Sequence, residues 1–147
     1  MLTTNNLGYP RVGPFRELKK ANEAYWAKKI TKEELLNTAK SIREANWKLQ
    51  KENGIALIPS NDFSFYDQVL DLTLTVGAVP ARYESLLDKI DGEYNLDLYF
   101  ALARGFQAEG VDVTAMEMTK WFDTNYHYMV PEFTKDQTFK LTSEKFL

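Results

Sequence analysis

Arg16, Lys19 and Lys20 crowd into five consecutive residues, and Arg11 stands just before them. Residues three and four apart share a helix face, so in a helix these cations form one patch and repel by a few tenths of a kcal/mol per pair. They follow Gly13-Pro14, and proline is favoured at the first position of a helix. The cations therefore stand near the positive end of a helix dipole, where anions rather than cations are favoured. Helix-start amides with fixed cations make a site for carboxylates or phosphates. The competing reading is a lysine-rich solvated face, partly compensated by Glu17 and Glu23.

Two further groups could do chemistry. Lys120 is followed by Trp121, Asn125 and His127, with His127 between Tyr126 and Tyr128. His127 could act as a base, or could be a packed, hydrogen-bonded structural residue. Ser60-Asn61-Asp62 offers a carboxylate, Asp62, as an acid/base or ligand, although Asx residues at such places also turn the chain and cap the next element. Glu117 and Asp123 could form a carboxylate pair. No glycine-rich phosphate loop, HExxH metal motif or nucleophile elbow is present. With no cysteine and a single histidine, the chain offers no thiol nucleophile, no zinc–thiolate site and no pair of imidazoles.

The elements that must position these groups alternate. Residues 2–8 read as a short first strand, and Phe15, Leu18 and Tyr25 give a helix over about 14–28. Thr31 and Glu34 form a capping-box pattern that opens a second helix to about residue 51, with Leu35, Ala39, Ile42 and Leu49 on its buried face. Asn53-Gly54 supplies its stop. The apolar run Ile55–Ile58 suits a parallel strand buried on both faces. A helix near 65–76 with Phe65, Val69, Leu72 and Thr73 inward, a loop over 88–95, a helix over 96–103 closed by Gly105, and a strand over 113–118 come next. Thr142 could cap one more helix.

Strands alternating with helices imply a parallel sheet built from β/α units. A complete (β/α)₈ barrel needs about 250 residues, or about 31 per unit. The 147 residues fit one ordinary domain by length, yet hold only about three such units. The fold class expected is thus α/β: a partial (β/α)8 TIM-type barrel, one incomplete domain over residues 1–147. A partial barrel leaves open sheet edges, which marks a fragment or a chain completed by a partner.

Charge is unevenly spread. Residues 1–51 hold 11 Lys/Arg against 5 Asp/Glu, and residues 52–147 hold 7 against 16, within a net charge of −3. Such asymmetry marks a region that meets anions. The acidic balance and the lack of a nucleic-acid-binding motif oppose a nucleic-acid partner. No run of 18 apolar residues spans a membrane, and the N-terminus lacks the charged and apolar regions of a signal peptide, so a cytoplasmic location is expected.

Longer blocks carry a resemblance. Gly8-Tyr9-Pro10-Arg11-Val12-Gly13, Arg16-Glu17-Leu18-Lys19-Lys20, Tyr25-Trp26, Trp47–Lys51, Ile58–Asp67 and Glu117–Tyr128, in collinear order, resemble the opening of the cobalamin-independent methionine synthases. Tyr9 stands where that family more often has Phe. The resemblance implies two face-to-face (β/α)₈ barrels, of which this chain supplies the start of the N-terminal one. It implies methyl transfer from methyltetrahydropteroyl triglutamate to homocysteine, giving methionine. It further implies a zinc that keeps the homocysteine thiolate deprotonated, held by His, Cys and acidic ligands of a C-terminal barrel absent here. No metal ligand and no catalytic residue is expected in this chain, which alone should be inactive. The folate-polyglutamate contacts carried over are Arg16, Glu17, Leu18 and Lys19, with Lys120 and Asn125 from the later block. The alternatives are a stand-alone anion- or folate-binding module and a structural half completed by a separate C-terminal chain.

Overall fold

The computed structural model describes residues 2–87, 89, 95–108 and 110–141. The chain divides into two compact units, Met1–Phe65 and Tyr66–Phe146.

The first unit is built on helix α1, Glu17–Trp26, packed against helix α2, Lys32–Glu52. Helix α2 begins where Thr31 and Glu34 place it. The Glu34 amide donates to Thr31 Oγ1 at 3.2 Å, and the Thr31 amide donates to Glu34 Oε2 at 2.7 Å. It ends at Asn53, and Gly54 takes the positive φ of 79° that lets the chain leave the helix. Leu35, Ala39 and Ile42 are buried as expected, opposite Leu18 and Ala21 of α1, while Leu49 is largely exposed. Fully burying one such Leu contributes about 1.5–3 kcal/mol.

Two expectations change here. Helix α1 opens at Glu17, not near Pro14, because residues 12–16 are spent in a tight hydrogen-bonded loop. The run Ile55–Ile58 is not a buried strand. Among the described residues the run forms one bridge, from Leu57 parallel to Asn5, and Leu57 is 58% exposed. Thr4 organises this bridge, its carbonyl accepting from the Ala56 and Leu57 amides and its hydroxyl donating to Gly54 O. A parallel strand is buried only between neighbouring strands and under covering helices. Among the described residues Leu57 has a partner on one edge alone.

The second unit packs helix α3, Gln68–Thr75, against helix α5, Leu96–Arg104, with the short helix α4, Glu84–Leu87, between them in sequence. Asp67 caps α3 through the Leu70 amide (2.9 Å), and Asn95 caps α5 through the Asp97 amide (2.8 Å). Capping at Asp67 sets a helix phase in which Leu70, Thr73 and Leu74 point inward and Leu72 is exposed, contrary to expectation. Gly105 closes α5 as expected, with φ 82°. A Cβ there would lie 2.9 Å from Val113 O.

The strands of this unit depart from a parallel arrangement. Strands β1, Phe106–Ala108, and β2, Val111–Val113, pair antiparallel, as do β3, Met118–Lys120, and β4, His127–Met129. The expected strand over 113–118 instead runs from the end of β2 at Val113, across the gap between two hairpins, to the start of β3 at Met118. Parallel neighbours need a crossover of a dozen or more residues, and two or six intervening residues permit only hairpins. The described chain is thus mixed α/β, with two small antiparallel sheets in place of the expected parallel one. The expected loop over 88–95 and the cap at Thr142 lie largely or wholly outside the described residues.

Candidate functional site

The cationic segment is held by the loop that precedes it. The Gly8 amide donates to Asn6 Oδ1, and the Tyr9 amide donates to Asp62 Oδ2 at 2.8 Å. A Cβ on Gly8 would meet Asp62 Cβ at 2.8 Å, so this close approach requires glycine. Asp62 therefore ties residues 8 and 9 to the turn after Leu57. Asn46 of α2 donates to Pro10 O at 3.3 Å.

The next turn sets the cations. The Arg16 amide donates to Gly13 O and the Leu18 amide to Val12 O, each at 3.1 Å. The Glu17 carboxylate folds back onto Gly13, accepting from the Phe15 amide at 3.0 Å. These bonds hold Arg16 at the N-cap of α1 with φ 61° and ψ 38°, a left-handed conformation. For a residue with a Cβ that conformation costs about 1–2 kcal/mol. No side chain caps α1. Leu18 sinks into the core at 3% exposure, while Arg16 and Lys19 stay exposed. Lys19 Nζ lies 3.8 Å from Glu23 in a solvated i,i+4 pair.

A cleft of about 580 Å³ opens beside this loop, lined by Tyr9, Pro10, Gly13 and Pro14 and by Asn46 and Leu49 of α2, among others. Its lining does not come from Arg16 or Lys19.

In the second unit Lys120 ends β3, opposite His127 of β4, and is exposed. The connecting loop is closed by the Trp121 amide on Tyr126 O (2.7 Å) and by Thr124 Oγ1 on Trp121 O (2.6 Å). Trp121 stands edge-on to Phe122 and Tyr128, with centroids 5.1 and 5.6 Å away. His127 Nδ1 is 3.0 Å from Asn125 O, a contact within the loop, and the residue is exposed. The Asn125 side chain is left exposed at the hairpin tip.

Among the described residues no group of three or more His, Cys, Asp or Glu is placed to hold a metal ion.

Residues 3–147 match the family described as the cobalamin-independent synthase, N-terminal domain. The chain belongs to that family. It is 67% identical over 146 residues to the 5-methyltetrahydropteroyltriglutamate–homocysteine methyltransferase of Flavobacterium johnsoniae. It is 60% identical over 144 residues to that of Cytophaga hutchinsonii, and 52% over 154 residues to that of Saccharomyces cerevisiae. These alignments cover 98–99% of the chain but only 18–19% of the relatives' length.

Within this synthase segment the six expected site residues divide by what their side chains do. Arg16 and Lys19 are the exposed cations, Glu17 holds the loop, and Leu18 anchors the helix. Lys120 and Asn125 flank the aromatic hairpin loop of the other unit. The left-handed N-cap at Arg16 and the loop-holding carboxylate of Glu17 are not apparent from residue types. The Gly13-Pro14 pair two residues upstream is the one signal that could have suggested a tight turn.

Proposed function

We propose that this chain is the opening, substrate-binding part of a methyltransferase that moves a methyl group from 5-methyltetrahydropteroyltriglutamate to homocysteine. The observation that carries this is the start of α1, where the exposed Arg16 and Lys19 occupy the N-cap and first turn of a helix that follows a strained, hydrogen-bonded turn. Arg16 presents a planar fork suited to a carboxylate, and Lys19 a point charge. A triglutamate tail offers several carboxylates, and helix-start amides add to their attraction. Glu17 and Leu18 act by position, one holding the turn and the other locking the helix to its core. Lys120 and Asn125 are assigned, within their own unit, a charge and an amide for the same substrate.

No step of methyl transfer is assigned to this chain. Homocysteine, and the zinc that would hold its thiolate, belong to sequence outside these residues, in a partner barrel of a cytoplasmic enzyme. The parallel Asn5–Leu57 bridge, with Leu2, Leu7 and Leu57 all exposed, supports the opening of a (β/α)₈ barrel whose further strands and helices would cover them.

The test uses a full-length chimera, this chain replacing the matching segment of the Flavobacterium johnsoniae relative. A charge-assisted hydrogen bond contributes about 1.5–3 kcal/mol, so Lys19→Ala should weaken triglutamyl-substrate affinity roughly tenfold to a hundredfold. The monoglutamyl substrate should lose much less, and the difference should shrink as salt rises. Equal losses on both substrates would remove Lys19 from tail binding.

A further inference from the structure

Arg43 lies within α2 and keeps only 8% of its surface. Its guanidinium carbon is 5.6 Å from the ring centroid of Trp47 and 5.6 Å from that of Phe63. Both rings are themselves fixed. Trp47 Nε1 donates to Pro59 O at 3.1 Å, and Phe63 is buried edge-on against Phe65 with centroids 5.4 Å apart. Nε of Arg43 is enclosed and has no hydrogen-bond partner. Among the described residues no carboxylate or carbonyl pairs with the guanidinium at all. Burial pushes its pKa below the ordinary arginine value, an effect that the charge of Glu44 opposes.

This is an unusual state for a cation. Buried charges are normally paired or hydrogen-bonded, because burial without a partner is costly. Arg82 of the second unit makes the contrast, although it is more exposed. It forms a bidentate pair with Glu132 at 2.7 and 2.9 Å, donates to Thr114 O and Ala115 O, and lies 4.3 Å from the Tyr83 ring centroid. Among the described residues Arg43 has two aromatic neighbours and none of the acceptors. Ser64, next to Phe63 in sequence, also buries a hydroxyl with no partner.

We propose that Arg43, with the Trp47 and Phe63 rings each 5.6 Å from its guanidinium carbon, is a carboxylate-binding site. The rings neighbour the guanidinium, and its planar fork matches a carboxylate bidentately. The site is separate from Arg16 and Lys19, which are solvated and stand at the start of the other helix. The carboxylate is either a free ligand or a side chain from sequence outside this chain, and the chemistry of recognition is the same for both.

Thermal unfolding separates the two sources. Wild type, Arg43→Met and Arg43→Lys are melted in sodium glutarate and in sodium chloride of equal ionic strength, as the 147-residue chain and in the chimera. Arg43→Lys keeps the charge but loses the fork, and serves if the methionine variant does not fold. For a free ligand, glutarate raises the wild-type midpoint saturably, by about 4 °C at ten times its Kd. Neither variant then responds. For a protein-borne carboxylate, glutarate does nothing, Arg43→Met raises the midpoint of the chain alone, and the same change lowers it in the chimera. If glutarate acts like chloride on all three proteins and Arg43→Met shifts both proteins in the same direction, the site does not exist.

Discussion

Replacing Arg16 by glycine and, separately, by alanine isolates the strain at the head of α1. Its φ of 61° lies in the left-handed region, and its guanidinium has no hydrogen-bond or ion-pair partner among the described residues, so truncation loses no such contact. Alanine retains the Cβ and hence the left-handed penalty of about 1–2 kcal/mol, which glycine escapes. Glycine in turn loses about 0.5–1 kcal/mol more conformational freedom on folding than alanine does. The balance leaves Arg16→Gly more stable than Arg16→Ala by about 0.5–1 kcal/mol, the reverse of their order inside a helix. In a chain of this size that is a midpoint difference of about 2–4 °C. Urea unfolding of the two variants, with equal slopes, measures it directly. Both should lose triglutamate affinity in the chimera, so stability and binding move apart. If Arg16→Ala is as stable as Arg16→Gly or more so, the turn stores no strain there and the geometric argument for the cationic site fails.

Tyr99→Phe should destabilise by about 1–3 kcal/mol, because one buried hydroxyl accepts from the Tyr66 and Asp67 amides at 2.9 Å each and would leave both unsatisfied. Burial holds the Tyr99 phenol well above its ordinary pKa, so the loss should be constant from about pH 6 to 9 in denaturant melts. Glu132→Gln should cost at most about 1 kcal/mol, since both partners of the Arg82 pair are more than a third exposed. The hydrogen bond from Arg82 holds the Glu132 carboxyl below its ordinary value of 4.5. The pair's contribution is thus complete above that value and disappears as pH falls through the lowered one, where wild type and variant should converge.

Much of the local structure is legible in residue types because its cause is local. The Thr31–Glu34 box, the Asn53-Gly54 stop and the Gly105 closure each depend on backbone amides within a few residues. The cationic character of residues 16–20 is equally local. The features that escape the sequence depend on partners far along the chain. Ile55–Ile58 has the composition of a buried strand, but burial needs neighbours on both edges, and among the described residues Leu57 has one. Two hairpins replace an expected parallel strand because six residues between β3 and β4 can turn but cannot cross over. The role of Asp62 requires knowing that Tyr9, 53 positions away, brings its amide there. Arg43 reads as one more basic residue of a helix until its two neighbouring rings and the lack of an acceptor among the described residues are seen together.

Methionine formation tests the central claim most directly. The purified 147-residue chain and the chimera are each given homocysteine, zinc and methyltetrahydropteroyl triglutamate. The chain alone should give no methionine above background. The chimera should turn over, and should lose triglutamyl-substrate affinity when Arg16 and Lys19 are both changed to alanine. Turnover by contaminant-free chain alone, or a chimera whose triglutamyl affinity is untouched by the double change, would contradict the assignment of this chain as the tail-binding opening of the enzyme.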